Sequence, residues 1–522
     1  MTDSRAPLFT TPHGTVSGTR RGGVHVFRAV PVAHSPGFAP PAPPESWQGV
    51  LDCSDSSRRR GLRTATTVSV FAPEGAEVAS CPVIAWIHGG RFEEGHGDDG
   101  FYDGSVLASA GCVVVTLNYR KCLEGFIPLD GDTPGAFRGV DDLVHALRWV
   151  QDAVSAVGGD PDNVTLAGQS AGGGLIMQLL TERRADALFH RAVVLSPGLP
   201  RIRPRNGWRL RRAVTAAGLG GPLTLERVSD LGEDRLRRAA RPFSFSHSDV
   251  DKRPGGSRGS RGATRAPRLP PGPTPGAAPL APGGPLTLER VSDLGEDRLR
   301  RAYRLLAGVY ATDCALGPGP VDLHRLRDVP LLVSTMEDEL VRFPGVAGTD
   351  RWLHRSGLPA GVLAPGMLAL GVPPGSLAAW CRQVDGDRPL GRTVGDTMVR
   401  RWASGLLEAA PGRDVWACEF RGGELADGQR IDALHCGELP VLFGTVGVDP
   451  PLVRRFCGPD APHRLEGLGR ELRSEIVSFA HGREPGWPRW AEGRISRIFD
   501  LTGGPSTTGR DILRTVRTLL PL

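Results

Sequence analysis

Five residues, Gly168-Gln169-Ser170-Ala171-Gly172, restrict this chain more than any other stretch of it. They follow Asn163-Val164-Thr165-Leu166-Ala167, a β-branched apolar run, and precede Leu175-Ile176-Met177, which opens a helical pattern. A serine between glycines at a strand-to-helix junction implies a tight turn that exposes its hydroxyl. Side chains at the flanking positions would collide with neighbouring backbone, and the following helix turns N–H groups and its positive end toward developing negative charge. The pattern alone is weak, because about half a match is expected by chance in a chain this long and this rich in glycine. Gly255-Gly256-Ser257-Arg258-Gly259 is such a second match, with no strand pattern before it and no helical pattern after it. Context therefore selects Ser170 as the candidate nucleophile and assigns Ser257 to chance.

The surroundings fit a sheet whose strand ends carry the chemistry. Short apolar runs at 68–71, 83–87, 113–117, 164–167, 193–195, 331–333 and 415–418 read as strands, several without alternation, as in strands covered on both faces. Between them, 141–154 places Leu143, Leu147, Val150 and Val154 at helical spacing, and 175–180 opens another helix. Strand–helix alternation predicts an α/β fold with a mostly parallel sheet, helices on both faces and functional groups at the strands' carboxyl ends. One run, Val83-Ile84-Ala85-Trp86-Ile87, ends in His88-Gly89-Gly90. Acyl transfer puts negative charge on a carbonyl oxygen, and backbone N–H groups fixed in advance stabilise it by about 2.7–4 kcal/mol each. Gly89, Gly90 and Ala171 are the expected donors of this oxyanion hole, and His88 is not taken as the base.

The 522 residues include an exact repeat: GGPLTLERVSDLGEDRLRRA occupies 220–239 and again 283–302, offset by 63 residues. Two identical copies suit a recent tandem duplication better than a stacked-repeat architecture, which needs three or more diverged units. Between them, 240–282 is rich in Pro, Gly, Ser and Arg and is expected to be disordered. The first copy runs into Arg241-Pro242, where proline ends a helix, and the second into Tyr303-Arg304-Leu305-Leu306, which continues one. The expectation is one domain over 1–522 carrying a surface insertion.

The insertion also explains the charge. Segment 240–282 holds seven basic and two acidic residues, which leaves +1 for the rest of a chain whose net charge is +6, so no nucleic-acid-binding face is expected. No apolar run approaches the roughly 20 residues of a membrane helix, and the start lacks the pattern of a signal peptide. Nine cysteines without a CxxC pair fit a reducing cytoplasm rather than a disulfide framework.

With these residues in view, the chain resembles the type-B carboxylesterases, the family of cholinesterases and bacterial para-nitrobenzyl esterases. The strongest stretch is Ala146-Leu147-Arg148-Trp149-Val150-Gln151 followed by 158–173, GGDPDNVTLAGQSAGG. Asn118-Tyr119-Arg120, Pro440-Val441-Leu442-Phe443-Gly444 and Phe479-Ala480 with Trp487-Pro488 are also similar. The resemblance runs with gaps from about residue 11 to 499 and implies an α/β-hydrolase fold and a Ser–Glu–His triad. It carries the acid to Glu339, in Val333-Ser334-Thr335-Met336-Glu337-Asp338-Glu339, and the base to His435, in Ala433-Leu434-His435-Cys436-Gly437-Glu438. An acidic run at a strand end can also be merely solvated. His354, His463 and His481 follow the acid too but stand in no such motif.

There are departures. Gln169 stands where the family usually has Glu, Arg91 where it has a small residue, and Cys53 has no recognisable disulfide partner. Ser196 resembles a family serine that can lie behind the triad, or serves as a strand-end turn residue. Region 200–330 is short once the insertion is set aside, so the substrate is not legible there.

The sequence thus points to a serine hydrolase cleaving small-molecule carboxylic esters through an acyl-enzyme, with no cofactor and no metal. Its acid limb should rise through roughly pH 6–7 if His435 titrates like a free imidazole. An amidase, thioesterase or carbamate hydrolase with the same triad, a non-catalytic binding protein and a gene product damaged by its duplication are the alternatives. Oligomeric state is not legible.

Overall fold

In the computed structural model the apolar runs become strands of one large mixed sheet. The structure describes residues 6–201 and 313–522, apart from breaks at 58, 60–64, 130–131, 134, 315, 344, 385, 387, 411–413 and 448–449. Both repeat copies, the 240–282 segment, Ser257 and the helix expected at 303–306 lie outside the described residues.

Strands β1 (Leu8–Thr11), β2 (Gly14–Ser17) and β5 (Val50–Asp52) form a small separate sheet. The main sheet takes β3 (Thr19–Arg21), β4 (Val24–His34), β6 (Ala65–Pro73), β7 (Cys81–Ile87), β8 (Val113–Leu117), β9 (Gly159–Gln169), β10 (Arg191–Leu195), β11 (Leu331–Met336), β12 (Val415–Arg421), β15 (Ile495–Asp500) and β16 (Thr507–Arg510). A short hairpin, β13 (Gly423–Glu424) with β14 (Arg430–Ile431), stands apart. The order in the main sheet is β16-β15-β12-β11-β10-β9-β7-β8-β6-β4-β3. Its seven middle strands, β15 to β8, run parallel, and the pairs beyond them are antiparallel.

The central strands are buried along their length: all seven residues of β7, all five of β8 and all six of β11. Full burial of such side chains stabilises by about 1.5–3 kcal/mol each, which is why these strands read as continuous apolar runs. The helix expected at 141–154 is Arg138–Ala153, and the one expected at 175–180 is Ala171–Leu179, which starts directly after Ser170. Strand β4 escaped the sequence reading for a physical reason. Its pairing with β6 shifts between Phe27 and Val30 and again between Pro31 and Ala33, and Ala29 has φ +50°. Those bulges break the period of two on which recognition of a half-buried strand depends.

The carboxyl ends of β7, β9 and β11 lead straight into His88-Gly89-Gly90, Ser170 and Glu337-Asp338-Glu339. His435 follows the hairpin that succeeds β12. Two residues flanking the undescribed stretch meet: Arg201 N–H donates to both Asp313 carboxylate oxygens at 3.0 and 3.1 Å, and the buried guanidinium faces the same carboxylate at 3.7 Å.

Candidate active site

Ser170 sits in a backbone conformation that other residues avoid, with φ +58° and ψ −121°. A strained residue of this kind, worth roughly 1–3 kcal/mol, persists only where its surroundings over-determine it. Here Ser170 N–H donates to Leu195 O at 3.0 Å, and Ser170 O accepts from the N–H groups of Gly174 and Gly198, each at 2.9 Å. A Cβ on Gly172 would stand 2.1 Å from Ile87 O, so the helix can cross β7 this closely only with glycine there.

From this turn three side chains form one hydrogen-bonded line. Ser170 Oγ lies 2.8 Å from His435 Nε2, and His435 Nδ1 lies 2.6 Å from Glu339 Oε2. The other Glu339 oxygen accepts the Met336 N–H at 2.9 Å, so the carboxylate is fixed at both ends. The acid and base loops are also joined through backbone: His435 N–H donates to Glu339 O, and Asp338 N–H to Ala433 O. Asp338 returns the contact by accepting the Ala433 N–H at 3.3 Å. The acidic run is therefore divided by role, with Asp338 tying the loops together and Glu339 facing the imidazole. His435 is held above its ordinary titration range. Burial lowers it, but the charge and hydrogen bond of Glu339, with the charge of Glu438, outweigh burial.

The glycine loop after β7 reaches the same place. A Cβ on Gly89 would come within 3.1 Å of Ser170 Cβ, and Gly90 takes φ +115° with its Cα packed against the Glu94 carbonyl. The Gly89 N–H donates to the Tyr102 hydroxyl at 3.4 Å, so of the three expected donors this one is engaged elsewhere. Ala171 opens the helix Ala171–Leu179, in the first-turn position whose N–H has no partner within the helix. His88 is fully buried, stacked on Tyr119 at 4.5 Å, with Nδ1 2.6 Å from Gly89 O. Burial holds it far below the usual imidazole range, hence neutral, consistent with a structural place. The Asn118-Tyr119-Arg120 stretch supports this loop from behind. Tyr119 OH donates to His88 O, Asn118 accepts the Gly97 N–H, and Arg120 makes a two-pronged contact with buried Asp142.

The departures have structural counterparts. Gln169 Nε2 lies 3.3 Å from His435 Nε2, so the residue stands beside the base as well as beside the turn. Arg91 reaches the Asp313 carbonyl at 2.5 Å and Glu93 at 3.6 Å. Ser196 is fully buried, with φ +42° and no hydrogen-bond partner for Oγ. Cys53, like the other eight cysteines, forms no disulfide. Two residues were missed by sequence reasoning: Tyr102, which binds the Gly89 amide, and Glu438, a carboxyl with no exposed surface three residues after His435. The signal for Glu438 was available, since a lone acid among Cys436, Gly437, Leu439, Pro440 and Val441 has little reason to be solvated.

Residues 5–201 match the model of the carboxylesterase family. That match spans 197 of the 522 residues, less than half of the chain. The chain is 40% identical over 212 residues to a para-nitrobenzyl esterase of Bacillus subtilis, covering 36% of the chain and 43% of the relative. It is 36% identical over 225 residues to a fumonisin B1 esterase of Sphingopyxis macrogoltabida, covering 38% and 42%. Both matches span less than half of the relative's length. A longer match, 28% identical over 508 residues and covering 92% of the chain and 94% of the relative, is to a probable N-octanoylanthranilate hydrolase of Rhodococcus erythropolis. A solved PNB esterase structure superposes with a TM-score of 0.68 at 24% identity, over 99% of this chain and all of the other. The fold is the α/β-hydrolase fold. Among the described residues no helix is long and apolar enough to cross a membrane, and no group of three or more His, Cys, Asp or Glu could hold a metal ion.

Proposed function

We propose that this chain hydrolyses small-molecule carboxylic esters through an acyl-enzyme, with Ser170 as nucleophile, His435 as general base and Glu339 as its partner. The observation that carries the reading is the unbroken line from Glu339 through His435 to Ser170, at 2.6 and 2.8 Å. His435 Nε2 takes the Ser170 proton as Oγ attacks the ester carbonyl. Glu339 holds the proton on Nδ1 and stabilises the imidazolium that forms. The oxyanion is received by the amides of Gly90 and Ala171, while Gly89, bound to Tyr102, shapes the loop. His435 then gives its proton to the leaving alkoxide, and water repeats the sequence to release the acid. No step calls on a cofactor.

A second reading is favoured by one observation: the relative matched over nearly the whole chain is described as hydrolysing an N-acyl compound. The same residues would cleave an amide, with His435 protonating the leaving nitrogen. Nine cysteines without a disulfide support a reducing compartment, the cytoplasm. The 63-residue offset between the repeats is taken as an insertion at the surface of a single domain, supported by the meeting of Arg201 with Asp313.

Fluorophosphonate labelling tests the nucleophile without knowledge of the substrate, since the reagent needs an activated serine and formed oxyanion donors. Labelling is expected in the wild type and in Ser257→Ala and absent from Ser170→Ala. A separate, unlabelled sample of the same protein is then offered matched para-nitrophenyl esters and N-acyl anilides. Faster turnover of the anilide selects the second reading. Folded wild type that takes no label would sink both and favour a binding protein.

A further inference from the structure

The loops that carry the acid and the base each hold a second, buried carboxylate. Asp338 precedes Glu339, and Asp432 stands three residues before His435. Asp432 is met by three arginines. Arg342 Nε reaches its Oδ2 at 2.5 Å, while Arg388 Nη1 and Arg430 Nε reach its Oδ1 at 2.9 and 3.2 Å. Burial works against the charge of Asp432, but the guanidinium groups of Arg388 and Arg342 outweigh burial and hold the carboxyl below its ordinary range.

These arginines are not equivalent. Arg342 and Arg430 are more than half exposed, and water screens such pairs. Arg388 is mostly buried, and the same Nη1 that bonds Asp432 stands 3.7 Å from Asp338 Oδ1. One nitrogen therefore faces a carboxylate from each loop. Without a cation between them, two buried carboxylates this near would repel and push the loops apart. Arg388 is brought there by the helix Pro389–Gly395, which it directly precedes. Arg392 of that helix donates to Glu337 O at 2.8 Å and stands 3.7 Å from the same Asp338 oxygen. At the far end of the helix, a Cβ on Gly395 would come 3.2 Å from Glu339 Cβ. The helix thus braces the acid loop from Glu337 to Glu339 and reaches the base loop through Arg388.

We propose that Arg388 is a positioning residue for His435: standing between Asp338 and Asp432, it holds the loop of the base against the loop of the acid. The inference rests on the ester-hydrolase reading for its kinetic consequence but not for its physical test. Because a single nitrogen makes both contacts, a positive charge at that point is what the arrangement needs, and the fork of the guanidinium is not. A lysine ammonium can supply such a charge.

The test reads the downfield Nδ1–H resonance of His435, which reports its bond to Glu339, together with kcat and KM for a para-nitrophenyl ester, in wild type, Arg388→Met and Arg388→Lys. Arg388→Met is expected to weaken the resonance and move it upfield, and to lower kcat by roughly tenfold with KM within about twofold of wild type, as misplacement of a base would. Arg388→Lys is expected to restore the resonance and to return kcat to within about twofold of wild type. Folded Arg388→Met with an unmoved resonance overturns the proposal whatever its rate, and so does an unchanged kcat. A loss that lysine does not restore also overturns it, because an ordinary packing residue would give that result. Should Arg388→Met fail to fold, Asp432→Asn, of the same size, is read in its place, and Arg388→Lys keeps its expected outcome. If folded wild type hydrolyses no ester, the ester-hydrolase reading falls while the resonance still decides this one.

Discussion

Ser170 is held by backbone, whereas His435 and Glu339 are held by each other. On the nucleophile side, a positive φ, a hydrogen bond to Leu195 O and the approach of Gly172 to Ile87 O leave the serine one place to stand. On the base side, two loops from β11 and β12 are tied by contacts between Asp338 and Ala433 and between His435 and Glu339. The first arrangement is mostly local, with Ser170, Gly172, Gly174, Leu195 and Gly198 close together in sequence and Ile87 of β7 as its one distant partner. The second joins positions 96 apart in sequence and depends on the whole sheet to bring them together. Local backbone geometry demands particular residue types at fixed spacing, while a pair of side chains can be reached from many loops.

If that contrast holds, damage to the two sides should differ in kind. The largest effect is expected from Ser170→Ala, which should lower kcat by on the order of 10⁴-fold or more, with Ser170→Ala plus His435→Ala no worse than the single change. Additive losses would mean that the two do not act as a unit. Next, Glu339→Gln should lower kcat by on the order of 10³-fold and move the acid limb downward, since Glu339 is the main group raising His435. The unaltered protein should show that limb above 6.5, because His435 must lose its proton to act and its titration is raised. A midpoint below 6.5 would contradict this placement of charge. Third, Gly172→Ala should act on folding as well as turnover, lowering stability by about 3 kcal/mol in chemical denaturation, because the neighbouring β7 cannot yield.

A smaller effect separates Glu438 from ordinary core residues. Its acid range is raised from 4.5 to about 7, so the folded protein binds that proton more tightly than the unfolded chain. This contribution is fully present below about pH 4.5 and is lost as pH rises through 7. Glu438→Gln has no such loss. Its stability relative to wild type should improve between pH 5 and pH 8 by up to about 2–3 kcal/mol, and an unchanged difference would show that Glu438 does not titrate there. The smallest effect is expected from deleting 240–302, which should leave monodisperse protein with midpoint and turnover within about 0.5 kcal/mol of the parent. Insoluble protein would count against treating the segment as an insertion.

The same contrast explains what could be read beforehand. The seven expected strands and the helices expected at 141–154 and 175–180 are present, and the chain positions of Ser170 and the glycine loop followed from residue types that the turns themselves require. Glu339 and His435 could be approached only through resemblance, because nothing in Glu337-Asp338-Glu339 says which acid turns inward. That choice is made by Met336, whose N–H takes one Glu339 oxygen, and by Arg388 and Arg392, which lie 3.7 Å from Asp338. The contact of the Gly89 amide with Tyr102 was not legible, because Tyr102 is brought to it by the fold, thirteen residues later. Strand β4 was hidden by its bulges, and Glu438 by the habit of reading an acid as surface.

The contact between Arg201 and Asp313 has a consequence for the history of the gene. Because residues 201 and 313 are bonded to one another, whatever number of codons lies between them, the sheet on either side receives the chain at the same two points. An unequal crossover that copied twenty residues without a single change could enter and persist here, as the 63-residue offset suggests. The same locus is a practical graft site, where a reporter or an affinity handle could be carried without redesigning the enzyme around it.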